Sequence, residues 1–361
     1  MSYDNDIFLK CTKRLFRMKT NQIIEQRLQR HKDFWNRTND SPLIGYSLGN
    51  YFVSKRFTAV EKLLGLERNV TANDFNVGNF LLDYEMSYNQ SVEDGVDVVF
   101  AASPFTGLPW MEAMVGCKII PQESSFIASP IPGAKFNDEI KVIDNSWSDK
   151  YFEFMDFINK NCGGKYSSGQ PILRGPGDVL AAIFGQKELI FNFYDFPDQA
   201  EKRLTELSNI LLKFAKKGLE KTKDFYGGYS MGFYPIWCPG KAFWFQDDIT
   251  ALLSPEFYNE FFFNIHQRQS EFCEYTMIHL HPDSFYFIDK LLIIDSLKAV
   301  QINKDIGGQS VSAMLPVLRN IQSKKNLVLW GDFTNDEIKF LTGNLNPQGL
   351  FIIVHRDFNS S

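Results

Sequence analysis

The feature that most constrains this chain is a recurring order. Short runs rich in β-branched and aromatic residues, bounded by glycine and proline, are mostly followed by amphipathic helical sequence. Eight such runs occur, at 42–48, 96–102, 170–174, 227–234, 275–281, 296–302, 326–331 and 349–354. A parallel neighbour in a sheet is reached only through a crossover, so this alternation predicts strand–helix units in an α/β fold. Eight units predict a (β/α)8 TIM barrel, with functional side chains on the carboxyl ends of its strands. Residues 1–40 add leading helices (Ile23, Ile24, Leu28, then Phe34 and Trp35). Gly116–Ile120 and Ser124–Ala128 read as an inserted hairpin. No linker or solenoid repeat divides residues 1–361, so a single barrel domain is expected.

Composition narrows the function classes. The formal charge of −5 leaves no basic footprint for nucleic acid or an anionic membrane. Five cysteines without CxxC spacing suit a reducing compartment. The amino terminus lacks signal-peptide order, and no apolar run reaches the length of a membrane span. A cytoplasmic protein with a small-molecule substrate is expected, with neither nucleic acid nor membrane as partner. The 34 Phe, 14 Tyr and 6 Trp mostly belong to the core, but rings at a barrel mouth would also suit a hydrophobic or flat ligand.

The chemistry concentrates in Thr276-Met-Ile-His-Leu-His-Pro-Asp283. Alternate strand residues share a face, so His279 and His281 point the same way, and Pro282 ends the ladder beside them. His355 follows the last strand and would open onto the same mouth. Three neutral imidazoles there suit zinc or another divalent transition metal with an open coordination position. The plainer alternative has these histidines bonding to backbone groups, as is expected of His31 and His266, which read as surface or packing residues. Asp283 and Asp357 stand nearby as acceptors able to orient imidazoles.

Three further groups qualify as site residues. In Phe245-Gln-Asp-Asp248, adjacent carboxylates cannot both face one pocket in an extended chain. Asp248 is the candidate catalytic and substrate-binding group. Asp247 is a second substrate contact, or else a cap or salt-bridge partner. Arg174, in Arg174-Gly-Pro-Gly-Asp178, could meet an anion at a helix entry. Tyr229 and Tyr234, on the glycine-softened run 227–234, are candidate substrate contacts. Cys238 is a thiolate candidate with only Lys241 nearby to favour ionisation.

From about residue 40 onward the order resembles the uroporphyrinogen decarboxylase superfamily, including its corrinoid-dependent methyltransferases. The likeness rests on Gly95-Val-Asp-Val-Val with Gly107–Gly116, on Arg174–Gly185, and most specifically on Gln246–Phe261 with its Asp-Asp, Ser-Pro-Glu and Glu-Phe pieces. It rests also on His279-Leu-His-Pro282, which stands where the methyltransferases carry a His-x-Cys-Gly ligand motif. Two decarboxylase hallmarks are replaced. Its arginine-rich RQAGRY-type segment is matched by Gly45–Tyr51, and its FSD-type aspartate by Phe100-Ala-Ala-Ser103. The resemblance implies a zinc ligand at His279, with His281 and His355 in place of two cysteines. It also implies methyl transfer from a partner corrinoid protein or a methylated small molecule. Decarboxylation of a porphyrinogen or related carboxylate, and non-catalytic binding of an aromatic or tetrapyrrole ligand, are the alternatives.

Overall fold

The computed structural model describes residues 3–356; the side chains of residues 3–19 and of Leu48 lie outside the description. Six strands form one parallel sheet: β1 (Leu43–Leu48), β2 (Ala242–Phe245), β3 (Tyr275–Leu280), β4 (Ala299–Lys304), β5 (Asn326–Gly331) and β6 (Leu350–Arg356). Their order is β1-β6-β5-β4-β3-β2. Because every pairing is parallel, all six carboxyl ends meet at one edge. The crossovers are helical, including Val311–Lys324 between β4 and β5 and Asn335–Asn344 between β5 and β6. The result is an α/β fold built around a six-stranded parallel sheet.

Alternation along the strands separates two packing layers. Ile278, Leu280, Val300, Ile302, Leu329 and Ile352 face the helices, where they meet Leu291, Met314, Leu318 and Leu341. The opposite face carries Trp244, Met277, Ala299, Val328, Phe351 and Ile353, which pack with Phe34 and Trp35 of the leading helix Tyr3–Asn36. Burial on both faces explains the near-continuous apolar runs, and each fully buried aliphatic side chain contributes about 1.5–3 kcal/mol. Towards the carboxyl ends the second face turns polar, with His279, Gln301, Asn303 and His355. A one-residue register slip would drive these groups into the helix layer, so the apolar pattern also fixes the position of the site.

The remaining expected strands take other forms. At 96–102 only Ala101–Ala102 forms a strand, paired with Ser167–Ser168; Val96 adds one isolated antiparallel bridge to Gly45, and 170–174 forms no regular strand. The run 227–234 is a hairpin arm instead: Tyr229–Ser230 pairs antiparallel with Trp237–Cys238. Gly232 lies in this reversal at φ 78°, and a Cβ there would come within 2.2 Å of the Gln170 carbonyl oxygen. The parallel neighbour of β3 on the side away from β4 is therefore β2, four consecutive buried residues with no alternation to mark them as a strand. The expected inserted hairpin is present, with Lys118–Pro121 paired antiparallel to Phe126–Ser129. The leading segment is one helix and not several. Among the described residues, no helix is long and apolar enough to cross a membrane.

Candidate metal centre

The carboxyl ends of β2 and β3, adjacent in the sheet, bring three candidate ligands together. Asp248, His279 and His281 each offer one donor atom, and these atoms all lie within 4.8 Å of one another. The two Nε2 atoms are 3.3 Å apart, and Asp248 Oδ1 is 3.9 Å from His279 Nε2. A tetrahedral zinc with bonds of about 2.0–2.1 Å spaces its ligand atoms by roughly 3.3–3.4 Å. The imidazole pair already stands at that spacing, and the carboxylate is slightly wide of it. Two imidazole nitrogens and a carboxylate oxygen also suit zinc chemically, so these residues fit a divalent transition metal.

Each donor is held from behind. Nδ1 of His279 lies against Gln301 Oε1 and 2.8 Å from the Tyr234 hydroxyl oxygen, and that hydroxyl donates to Gln301 Oε1 at 2.7 Å. Nδ1 of His281 is 2.7 Å from Asp305 Oδ1, which also accepts from Asn303 Nδ2 at 2.6 Å. Gln246 Nε2 donates to Asp248 Oδ2 at 2.8 Å.

The titration directions follow from these surroundings. Burial, then the neighbouring His281, pushes the His279 imidazole down to about 4, so it stays neutral with a lone pair to give. Burial also works to lower His281, but the Asp305 hydrogen bond and the Asp248 charge outweigh it and the net shift is upward. Burial raises Asp248 above the usual carboxylate range, against the pull of His281 and Arg174.

Asp247 has a different job from its neighbour. Its side chain is buried, and Oδ1 accepts the backbone amides of Gly177 at 2.6 Å and Asp178 at 3.3 Å. These amides open the helix Pro176–Phe184, so Asp247 satisfies donors that a helix end leaves unpaired. Its Oδ2 pairs with the fully buried His266 at 3.2 Å, and Asp178 Oδ1 in return accepts the amide of Ile249 at 2.9 Å. This reciprocal clamp fixes the turn that presents Asp248. Asp247 thus takes the capping role that was the alternative reading for it.

The other expected site residues are placed as follows. His355 is buried on the polar face of the sheet but lies outside the donor cluster, because β6 stands three places from β3. Its Nδ1 is 3.2 Å from the Arg56 guanidinium, and its ring lies against Tyr51 and Trp330. Asp248 takes the third position instead. Tyr234 braces His279 from behind; it is buried and contacts His279 and Gln301. Tyr229 pairs with Cys238 through the backbone and packs on the apolar inner layer, so it does not join the cluster.

Arg174 pairs with the buried Glu112 at 3.2 Å and lies on the wall of a cavity of about 220 Å³. A second cavity of about 120 Å³, lined in part by Arg56, Ser103 and Phe233, shares Val53 and Thr106 with the first. Burial holds the Cys238 thiol well above its ordinary value, so it is no thiolate ligand. Asp283 is exposed, and Asp305 fills the orienting role expected of it. Asp357 lies outside the described residues. His31 and His266 are packing residues, both fully buried.

Gln301, Asn303 and Asp305 are the residues around the donor cluster that the sequence reading missed. Their signal was available: three polar groups at alternate positions, closing the apolar run that follows the histidine segment in the chain.

No family model matches this sequence, and no curated protein matches it. Among solved structures the chain is similar to a methyltransferase from Methanosarcina mazei, with 14% identity, a TM-score of 0.63 and 94% of each chain covered. At that identity the likeness shows a shared fold across nearly the whole length.

Proposed function

We propose that this chain is a metal-dependent, methyltransferase-like enzyme built on a (β/α)8-type barrel, with Asp248, His279 and His281 holding zinc or another divalent transition metal. The observation that carries this reading is the 3.3 Å approach of two imidazole nitrogens beside a carboxylate at the carboxyl edge of a parallel sheet. The likeness in fold to a methyltransferase supports the reaction class.

A divalent ion at this site would act as a Lewis acid, lowering the pKa of a bound water or thiol. The one carboxylate among its ligands would leave part of the charge uncompensated, which favours ionising the substrate group. The chain's own residues would do the rest. Asp305 and Gln301 orient the imidazoles, and Asp247 fixes the turn carrying Asp248. The two cavities lined by Arg56 and by Arg174, which share Val53 and Thr106, would receive a small-molecule substrate. The methyl source would be a corrinoid, carried by a partner protein, or a methylated small molecule. Decarboxylation of a polyanionic substrate is the weaker reading, because the Arg174 charge is already engaged by Glu112.

The test is to incubate zinc-loaded protein with methylcobalamin and a panel of thiols, following loss of the cobalt–carbon absorbance and formation of thioether by mass spectrometry. Turnover that disappears in Asp248→Ala and His281→Ala supports the proposal. Absence of methyl transfer, together with carboxylate loss from a porphyrinogen, would replace it with the decarboxylase reading.

A further inference from the structure

We infer that Gln301 and Asp305 are positioning residues that hold both imidazoles in one tautomer, with the proton on Nδ1 and the Nε2 lone pairs turned towards a common point. The inference takes its purpose from the metal reading above, but it concerns the metal-free protein and stands or falls separately.

An amide oxygen and an ionised carboxylate only accept hydrogen bonds. The ring nitrogen against Gln301 Oε1 must therefore carry hydrogen, as must the one 2.7 Å from Asp305 Oδ1. The Tyr234 hydroxyl spends its proton on the same Gln301 oxygen at 2.7 Å, so it reinforces the amide's orientation and does not compete for the imidazole proton. In the neutral state this leaves both Nε2 atoms bare. They face each other at 3.3 Å, with Asp248 Oδ1 3.9 Å from one of them.

Electron pairs opposed at that distance repel one another, and the strand geometry enforces the approach: His279 and His281 are alternate residues on one face of one chain. Converging lone pairs are unfavourable for a core and favourable for a cation site.

Strand β4 supplies the control. Gln301, Asn303 and Asp305 occur at alternate positions, and Gln301 is paired in register with His279. The two braces differ in charge. Asp305 is a carboxylate, itself held by Asn303, so it makes His281 the more basic donor; the neutral amide of Gln301 leaves His279 the weaker one. Outer partners of this kind change metal affinity by about 10–100-fold.

The experiment is long-range 1H–15N correlation NMR of 15N-labelled protein, stripped of metal by a chelator and held at mildly alkaline pH. Protonated Nδ1 and bare Nε2 on both His279 and His281 is the expected result. A proton on His279 Nε2 would overturn the inference, since it would mean that Gln301 presents its amide nitrogen. In Gln301→Leu the His279 signals should shift to a tautomer mixture, and in Gln301→Glu, which keeps an acceptor, they should not. Asp305→Leu and Asp305→Asn form the same pair for His281.

Zinc affinity, read by competition with a chromophoric chelator, should fall about 10–100-fold in the two leucine variants and recover in part in Asp305→Asn. A purely structural role would lower melting temperature while leaving the tautomers unchanged, and that result also counts against the inference. If the tautomers are as expected and wild-type protein binds no metal, the metal reading fails and the positioning role stands.

Discussion

His279 near the end of β3 and His281 just beyond it bring their Nε2 atoms to 3.3 Å of each other, and the third donor beside them is Asp248, just past the end of the neighbouring strand. His355 had the same claim on the sequence, being a histidine at the end of the last strand. The two assignments separate by mutation. Asp248→Ala is expected to weaken zinc binding more than about 100-fold, beyond the range typical of orienting partners. His355→Ala should weaken it far less. Chelator competition on the purified variants reads both, and the reverse order would restore His355 as the ligand.

Adjacent aspartates should behave oppositely. Asp247→Ala removes the acceptor for two amides of the helix Pro176–Phe184 and strands the buried His266, so a loss of about 1–3 kcal/mol is expected. Asp248→Asn should leave unfolding by urea nearly unchanged while lowering metal affinity. If Asp248 proves the costlier change in stability, the division of labour at this turn is wrong.

Acid should destabilise the fold through His31. This ring is fully buried; its Nδ1 accepts the Trp237 amide at 3.0 Å and its Nε2 donates to the Asp97 carbonyl at 2.7 Å. Burial lowers its folded pKa below the ordinary 6.5, and the hydrogen bonds to backbone carbonyls do not offset that. A depressed histidine is neutral in the native state and charged in the unfolded chain below that ordinary value. Its stabilising contribution is therefore complete above about pH 6.5 and is lost as pH falls, by up to about 1.4 kcal/mol per pH unit. Urea midpoints measured between neutral and mildly acidic pH should fall more steeply in wild type than in His31→Gln. Equal slopes would contradict this assignment.

Val96 sits at φ 52°, a left-handed conformation that a β-branched residue adopts only under strain, and its side chain is about half exposed. Asparagine tolerates that region. Val96→Asn should raise stability by about 1 kcal/mol in urea unfolding, given a left-handed cost of about 1–2 kcal/mol for ordinary residues. A loss of stability would show that the Val96 side chain makes contacts worth more than the strain.

How much of this could be read in advance depended on whether the cause was local. The pairing of His279 with His281 follows from the two-residue period and Pro282, both local signals. The sheet itself was legible at β1, β3, β5 and β6, where apolar runs have clear punctuation, and at β4 with its bounds shifted by two or three residues. Strand order was not legible. Nothing in the sequence says that β3 lies beside β2 and three places from β6, and on that neighbourhood the choice between Asp248 and His355 turns. Ala242–Phe245 hid as a strand because burial on both faces erases alternation. Gly227–Tyr234 imitated one because its glycines permit a reversal as readily as an extended run. Asp247 caps a helix some seventy residues earlier in the chain, a contact that only the folded topology supplies.

The central claim is that Asp248, His279 and His281 hold a metal. The most direct measurement is elemental analysis of protein purified without a histidine tag, beside a His279→Ala/His281→Ala double variant of confirmed fold. About one equivalent of zinc or another divalent transition metal per chain in wild type, lost in the double variant, is the predicted result. Metal-free wild type that takes up none on reconstitution, or equal metal content in both proteins, would contradict it.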